Sequence, residues 1–312
     1  MKVFVAGATG ALGRQLVPML VGKGHEVVGM TRTESKRELL AAMGAQPVVA
    51  DALDPEAVGR VVSEAQPEVI VHQLTAIPAS ISRRLDRDFA LTNRLRTEGT
   101  DHLLSAGQAA GVRRFVAQSF NYFERSGGAI KSEEDPLDPA PPAAVRTTVA
   151  AINHLEHAIT SAEWVEGVVL RYGAFYGPGT SIAAKPPGAF VELIRKRRLP
   201  IVGGGGGVWS FIHIEDAATA TLNAVEGGTT GIYLVVDDEP AAVRDWLPHA
   251  AEALGAKRPL RLPRWLGRLA AGEAGVVLMT EARGASNSKA KRELDWRPRY
   301  PSWRQGFVEG LG

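Results

Sequence analysis

The 312-residue sequence contains no cysteine. That excludes disulfides, thiolate nucleophiles and cysteine-ligated zinc. Charge of one sign is also lacking: 36 Lys and Arg stand against 34 Asp and Glu, a net +2 too near balance to argue for nucleic acid by itself. No apolar run approaches the ~20 residues of a membrane span. The opening MKVFVAGATG runs a strand into a turn, without the apolar stretch of a secretory leader. The expectation from these absences is a cytoplasmic, soluble protein that acts on a small-molecule substrate, with no nucleic acid and no membrane as partner. A homodimer stays open.

What is present is an alternation. KVFVAG, HEVVGMTR, AQPVVADALD, PEVIVHQL and VRRFVAQS read as strands, and helical patterns separate them, including ALGRQLVPMLVGKG and PEAVGRVVSEAQ. Pro18 conflicts with the first of these helices and predicts a kink or a shifted boundary. Strands spaced by helices imply right-handed crossovers and a parallel sheet covered on both faces. The expected fold class is α/β, a doubly wound parallel sheet of the Rossmann kind, with a smaller, mostly helical substrate-binding cap in the C-terminal half. Residues 1–178 and 208–236 are assigned to the dinucleotide-binding domain, and 179–207 and 237–312 to the cap. Residues 125–145, rich in Gly, Pro and acids, read as a surface loop.

Between the first strand and helix, GATGALG places Gly7, Gly10 and Gly13. Gly7 permits the tight turn, Gly10 lets backbone N–H groups approach a pyrophosphate, and Gly13 lets helix and strand pack closely. The second strand ends at Thr31 and Arg32, with Lys36 and Arg37 nearby, where a site for NAD would place an acid. An arginine there suits a 2′-phosphate, so the expected cofactor is NADP rather than NAD. Asp51 follows the third strand, and could meet an adenine amino group or serve as a turn carboxylate.

Together with GATGALG and Asp51, the segments VIVHQLTA, GTDHLLSAGQAAGVRRFVAQS, LRYGAFYGPGT, FIHIEDAATATLNAVE and GASNSKAKRELDWRPRYPSWRQGF carry a resemblance nearly from end to end. The chain resembles the extended short-chain dehydrogenase/reductase superfamily, in its NAD(P)-dependent epimerase/dehydratase branch. The resemblance implies cofactor contacts from Gly7, Thr9, Gly10, Ala11, Leu12 and Gly13, from Arg32, from Asp51 and Ala52, from Leu74 and Thr75, and from Tyr172 beside the nicotinamide.

The family's chemistry uses Asn, Ser or Thr, Tyr and Lys, with a Glu four residues after the Lys. Glu156 fits that mark in RTTVAAINHLEHAI, which puts Ile152 at the Lys position and Thr148 at the Tyr position. The hydroxyl position falls on Phe120, one beyond Ser119, and the Asn position on Arg96, with Asn93 one turn away. No Tyr or Lys occurs anywhere in 132–163. The tetrad is degenerate. Candidates for displaced chemistry are Tyr122 as proton donor, Ser119 to orient a carbonyl oxygen, and Lys131 or Arg96 as the cation beside the phenol.

His154 and His157 do not present three ligands on one face, so no metal is expected. His72 and His213 read as structural. The tryptophans, among them Trp209, Trp246, Trp265, Trp296 and Trp303, read as core or cap anchors, and one or two could line an apolar substrate pocket. Trp209 and Ser210 stand where sugar-nucleotide enzymes of the family often carry an Arg. The combined expectation is an NADP(H)-dependent oxidoreductase acting on a small, apolar carbonyl, alcohol or enone through a non-standard acid/base set. Two alternatives are an epimerase or dehydratase with retained NAD(P) and a non-catalytic NAD(P)-binding regulator.

Overall fold

The computed structural model describes residues 1–78, 85–121, 128 and 130–312. Seven strands form its central sheet: β1 (Lys2–Ala6), β2 (Glu26–Thr31), β3 (Gln46–Val49), β4 (Val69–His72), β5 (Arg114–Phe120), β6 (Glu166–Tyr172) and β7 (Gly231–Val235). Their order is β7-β6-β5-β4-β1-β2-β3 and every pairing is parallel. The order reverses between β1 and β4, and such a switch point opens a crevice at the carboxyl ends of the strands.

The strands are apolar on both faces, as a sheet covered on both sides requires. Successive side chains alternate. Val3, Val5 and Val71 join one core, with residues of helices α1 (Ala11–Gly22) and Ile214–Glu226. Phe4, Ala6 and Ile70 join the other, with α3 (Pro55–Ala65), Leu103 and Ala106 of α5 (Glu98–Ala109), and Leu155 and Ile159 of α6 (Arg146–Thr160). Two further helices complete the numbering used here: α2 (Arg37–Ala42) and α4 (Ala90–Arg96). Helix α1 runs on through exposed Pro18 without ending there. Asp54 caps α3, its carboxylate accepting from the N–H groups of Glu56 and Ala57, with Pro55 at the first helical position.

A third apolar cluster gathers Tyr176, Val191, Ile201, Trp209, Phe211, Trp246, Val276, Trp303 and Phe307. Its strands are short: Val208–Trp209 pairs antiparallel with Ala241–Ala242, and Phe211–His213 runs parallel to Ala174–Tyr176. Trp209, Trp246, Trp296 and Trp303 are buried anchors, whereas Trp265 is exposed. The reading of 125–145 as a surface loop needs correction. Ile130–Lys131 pairs in parallel with Gly284–Ala285, and Lys131 and Leu137 are buried. Periodicity cannot see a two-residue strand whose partner lies so far along the chain. Among the described residues, no helix is long and apolar enough to cross a membrane.

Candidate active site

Gly7 leaves β1 with φ +92, and a Cβ there would stand 2.6 Å from the carbonyl oxygen of Gln73, just beyond β4. The loop can therefore lie against the end of the neighbouring strand only as glycine. At Gly13 a Cβ would meet the Ala8 carbonyl oxygen at 2.5 Å, so the first turn of α1 packs directly on the turn that precedes it. Gly10 is the extended N-cap residue of α1. It carries no side-chain cap, and no acid stands in the first turn. The N–H groups at this helix start, over Ala11, Leu12 and Gly13, thus form an uncapped, electropositive terminus at the switch point. This cradle fits a dinucleotide pyrophosphate. Thr9 turns its carbonyl to the Arg14 Nε–H at 3.1 Å.

Arg32 follows β2, is exposed, and forms no ion pair among the described residues, while Arg37 faces Glu34 at 3.5 Å. Asp51 follows β3 and is exposed; one carboxylate oxygen accepts from the Leu53 N–H at 3.0 Å, the turn role weighed for it. Ala52 is buried, and its carbonyl meets His102 Nδ1 at 2.9 Å. Beyond β4, Leu74 donates its N–H to His72 Nδ1 at 3.2 Å, and Thr75 is exposed at the crevice.

The structure places the proposed chemical groups unevenly. Thr148, Ile152 and Glu156 lie one turn apart along α6, on the face that meets α4 and the end of β5. Asn93 donates its side-chain N–H to Thr148 Oγ1 at 3.1 Å. Ile152 is fully buried and packs with Leu137, Val149 and Phe120. Glu156 is buried and three donors hold it: Ser119 Oγ at 2.6 Å, Arg171 Nε at 2.8 Å and Arg171 Nη2 at 2.8 Å. Ser119 therefore gives its proton to a carboxylate, and its hydroxyl is not a free donor towards a carbonyl oxygen. Lys131 is buried and lies 3.3 Å from the Asp135 carboxylate, so its cation serves a local pair. Tyr172 buries its phenol in the core, within 2.6 Å of Thr221 Oγ1. Burial raises its pKa well above the ordinary value, so it packs beneath the site instead of offering a proton there. Tyr122 lies outside the described residues.

Arg96 ends α4 and is 6% exposed. Burial pulls its pKa down to about 10, and nearby Glu156 opposes that shift. His72 is buried as well. It lies 3.0 Å from Thr100 Oγ1 through Nε2, while Thr100 donates its own proton to the Arg96 carbonyl. Because Nδ1 accepts from Leu74, the ring proton sits on Nε2. Burial, with the Arg96 charge assisting, lowers the His72 pKa to about 4. His213 is likewise structural: Nδ1 accepts from Glu215 N–H and Nε2 reaches the Gly310 carbonyl.

Sequence reasoning singled out Glu156 as a positional mark and passed over Arg171 as its partner. A signal existed, since parallel pairing sets Ser119 beside Arg171. The ion pair itself joins a helix to a strand, which no local spacing rule reaches.

A switch-point crevice with a glycine cradle, continued by a seventh parallel strand and a C-terminal apolar cluster, defines the extended short-chain dehydrogenase/reductase class. The chain belongs to the NAD dependent epimerase/dehydratase family, whose model matches residues 3–235. It is 46% identical over 314 aligned positions to the 3-diazoavenalumate denitrifying reductase of a Streptomyces species, covering 98% of this chain and 99% of that one. It is 27% identical to a 4-hydroxy-2-methyl-3-oxo-4-farnesyl-3,4-dihydroquinoline-1-oxide ketoreductase of Stigmatella aurantiaca, covering 95% and 92%. Among solved structures it is similar to the UDP-glucose 4-epimerase of Thermus thermophilus in complex with NAD, at TM-score 0.75 and 25% identity, covering 100% and 98%. The fold also matches the Thermotoga maritima UDP-glucose 4-epimerase, at TM-score 0.78 and 22% identity, covering 100% and 97%. The chain is an NAD(P)-dependent oxidoreductase of the extended type.

Proposed function

We propose that the chain reduces an aromatic diazo compound with NADPH and releases dinitrogen. The observation that carries this reading is the pairing of an intact dinucleotide cradle with Thr148 and Ile152 at the two acid/base positions. Reducing a ketone places a proton on oxygen as well as hydride on carbon, so an acid must stand beside the substrate. Bound in the cradle, the cofactor supplies the hydride, and an arenediazonium cation plus NAD(P)H gives arene, dinitrogen and NAD(P)+ with charge balanced and no acid required. The relative at 46% identity is named for a diazo substrate and for removing nitrogen, which falls on the same chemistry.

In this reading the chain's own side chains bind, orient and exclude water. The N-terminus of α1 holds the pyrophosphate, and exposed Arg32 takes the 2′-phosphate that favours NADP over NAD. The apolar packing of Ile152 against Val149, Leu137 and Phe120 keeps that flank dry. Residues 179–207 and 237–312 form the cap over the substrate.

Ketone reduction is the rival reading, favoured by relatives named as ketoreductases at 27% identity, and it calls on Tyr122 as the proton donor. Supplying the purified protein with NADPH and a hydroxyaryl diazonium carboxylate separates the two. The expected result is one dinitrogen released per NADPH consumed, well above the rate without protein, with deuterium from C4-labelled NADPH appearing on the arene. Ketone reduction that Tyr122→Phe abolishes, with no diazo turnover, overturns the proposal.

A further inference from the structure

Arg96 carries a nearly buried charge that makes no hydrogen bond or ion pair among the described residues. Among the described residues, no side-chain or backbone acceptor hydrogen-bonds its guanidinium and no carboxylate pairs with it. Glu156 is the carboxylate that acts on it electrostatically. Yet Glu156 is already neutralised by the two-pronged bond from Arg171 and receives a third bond from Ser119. His72 on the adjacent strand end is held neutral at ordinary pH. Lys131, also buried, is matched by Asp135. The end of α4 therefore holds a nearly buried guanidinium with no hydrogen-bond or ion-pair partner among the described residues.

A buried guanidinium in that state is unfavourable, and native structures pair such groups. Even lowered to about 10, its pKa leaves it protonated at neutral pH. Its planar fork of donors matches an oxyanion. One turn earlier, Asn93 uses its amide N–H on Thr148, while its Oδ1 is buried with no partner among the described residues. An unpaired charged donor and an unpaired acceptor thus share one face of α4, towards the helix that carries Thr148, Ile152 and Glu156.

We infer that Arg96 is a substrate-binding residue, which grips an oxyanion, carboxylate or phenolate, carried by an aromatic substrate. The inference rests on the reductase reading for what the substrate is, but not for whether the anion binds. An arene bearing an oxyanion would complete the charge at Arg96, and a neutral arene would leave it unpaired.

The test is calorimetric titration of the NADPH-saturated protein with unreactive probes: para-hydroxycinnamate, its methyl ester, and para-methoxycinnamate. The acid is expected to bind on the order of ten- to hundredfold more tightly than the ester, as for a charge-assisted hydrogen bond. Tight binding by para-methoxycinnamate assigns the contact to the carboxylate; tight binding by the ester assigns it to the phenol. Arg96→Gln is expected to bring the preferred probe down to the level of the others, and Arg96→Lys to fall between. Equal binding of all three probes by the wild type, or an equal loss for all three in Arg96→Gln, overturns the inference.

Thermal unfolding guards against a merely structural role. Removal of a buried charge that has no hydrogen-bond partner should leave the Arg96→Gln melting temperature at or above the wild-type value, and a fall of more than roughly 5 °C, about 1–3 kcal/mol in a chain of this size, shows that Arg96 serves the fold instead. Because the titration needs no turnover, failure of diazo reduction leaves it readable. Diazo turnover whose KM is unchanged in Arg96→Gln would keep the reductase reading and reject Arg96.

Discussion

His72 ends β4 with both ring nitrogens committed, one accepting from Leu74 and the other set on Thr100, and with the Arg96 charge nearby. Burial lowers its pKa from 6.5 to about 4. Above the unfolded value the ring is neutral in both states, and the fold keeps its full stability. As pH falls from about 6.5 towards 4, the unfolded chain takes up a proton that the folded chain refuses, so stability is lost across that window, by on the order of 3 kcal/mol. Urea unfolding at a series of pH values should show this decline, and His72→Gln should flatten it. An unchanged slope in the variant would assign the pH dependence elsewhere. That this histidine is structural was legible from its place in an apolar strand. Its link through Thr100 to the Arg96 carbonyl was not, because β4 and α4 meet only in the fold.

At the scale of the element, α6 is the segment in which the usual acid/base pair is absent. Its period places Thr148, Ile152 and Glu156 on one stripe, and the sequence alone shows that neither a phenol nor an ammonium stands there. The structure adds what fills the space: Ile152 closes a small apolar cluster with Leu137, Val149 and Phe120. Restoring the family's lysine should therefore fail. Ile152→Lys places an ammonium in that cluster, with Glu156 one turn away already satisfied. The expected cost is about 3–5 kcal/mol, read as a lower urea midpoint, without any gain in ketone reduction. A variant as stable as the wild type would show that Glu156 can accept a further cation. Ser119 was legible as a strand-end hydroxyl one residue before the family's position. Its commitment to Glu156 depends on the register between β5 and β6 and on the angle of α6, and neither is written in local spacing.

For the whole molecule, the sheet order puts Gly7, Arg32, Asp51 and Thr75 along one edge of the crevice at the carboxyl ends of β1–β4. Ligand binding there couples to global stability by mass action. Saturation at about a hundred times Kd stabilises by about 2.7 kcal/mol, or roughly 5–10 °C in melting temperature for a chain of this size. NADPH is expected to give the larger shift and NADH the smaller at equal concentration, and Arg32→Glu should reverse their order. Equal shifts for the two cofactors in the wild type would remove Arg32 from 2′-phosphate recognition. The alternation of strands and helices made the parallel sheet legible, because burial on both faces demands apolar runs. The short strands of residues 174–285 were not, since two or three residues carry no period of their own and gain their place only from distant partners.

Composition and periodicity determined by themselves the doubly wound sheet and the glycine cradle, and the family resemblance marked Thr148 and Ile152 in place of the Tyr and Lys. Each depends on residues close in sequence: a Cβ-free turn, a run of β-branched residues, a stripe on one helix. Only the tertiary structure decided which polar groups are already satisfied. Ser119, Glu156 and Arg171 close one buried network, Lys131 turns to Asp135, and Arg96 is left with no hydrogen-bond or ion-pair partner among the described residues. The physical reason is that desolvation and pairing are set by neighbours from other elements, which the chain brings together only when it folds.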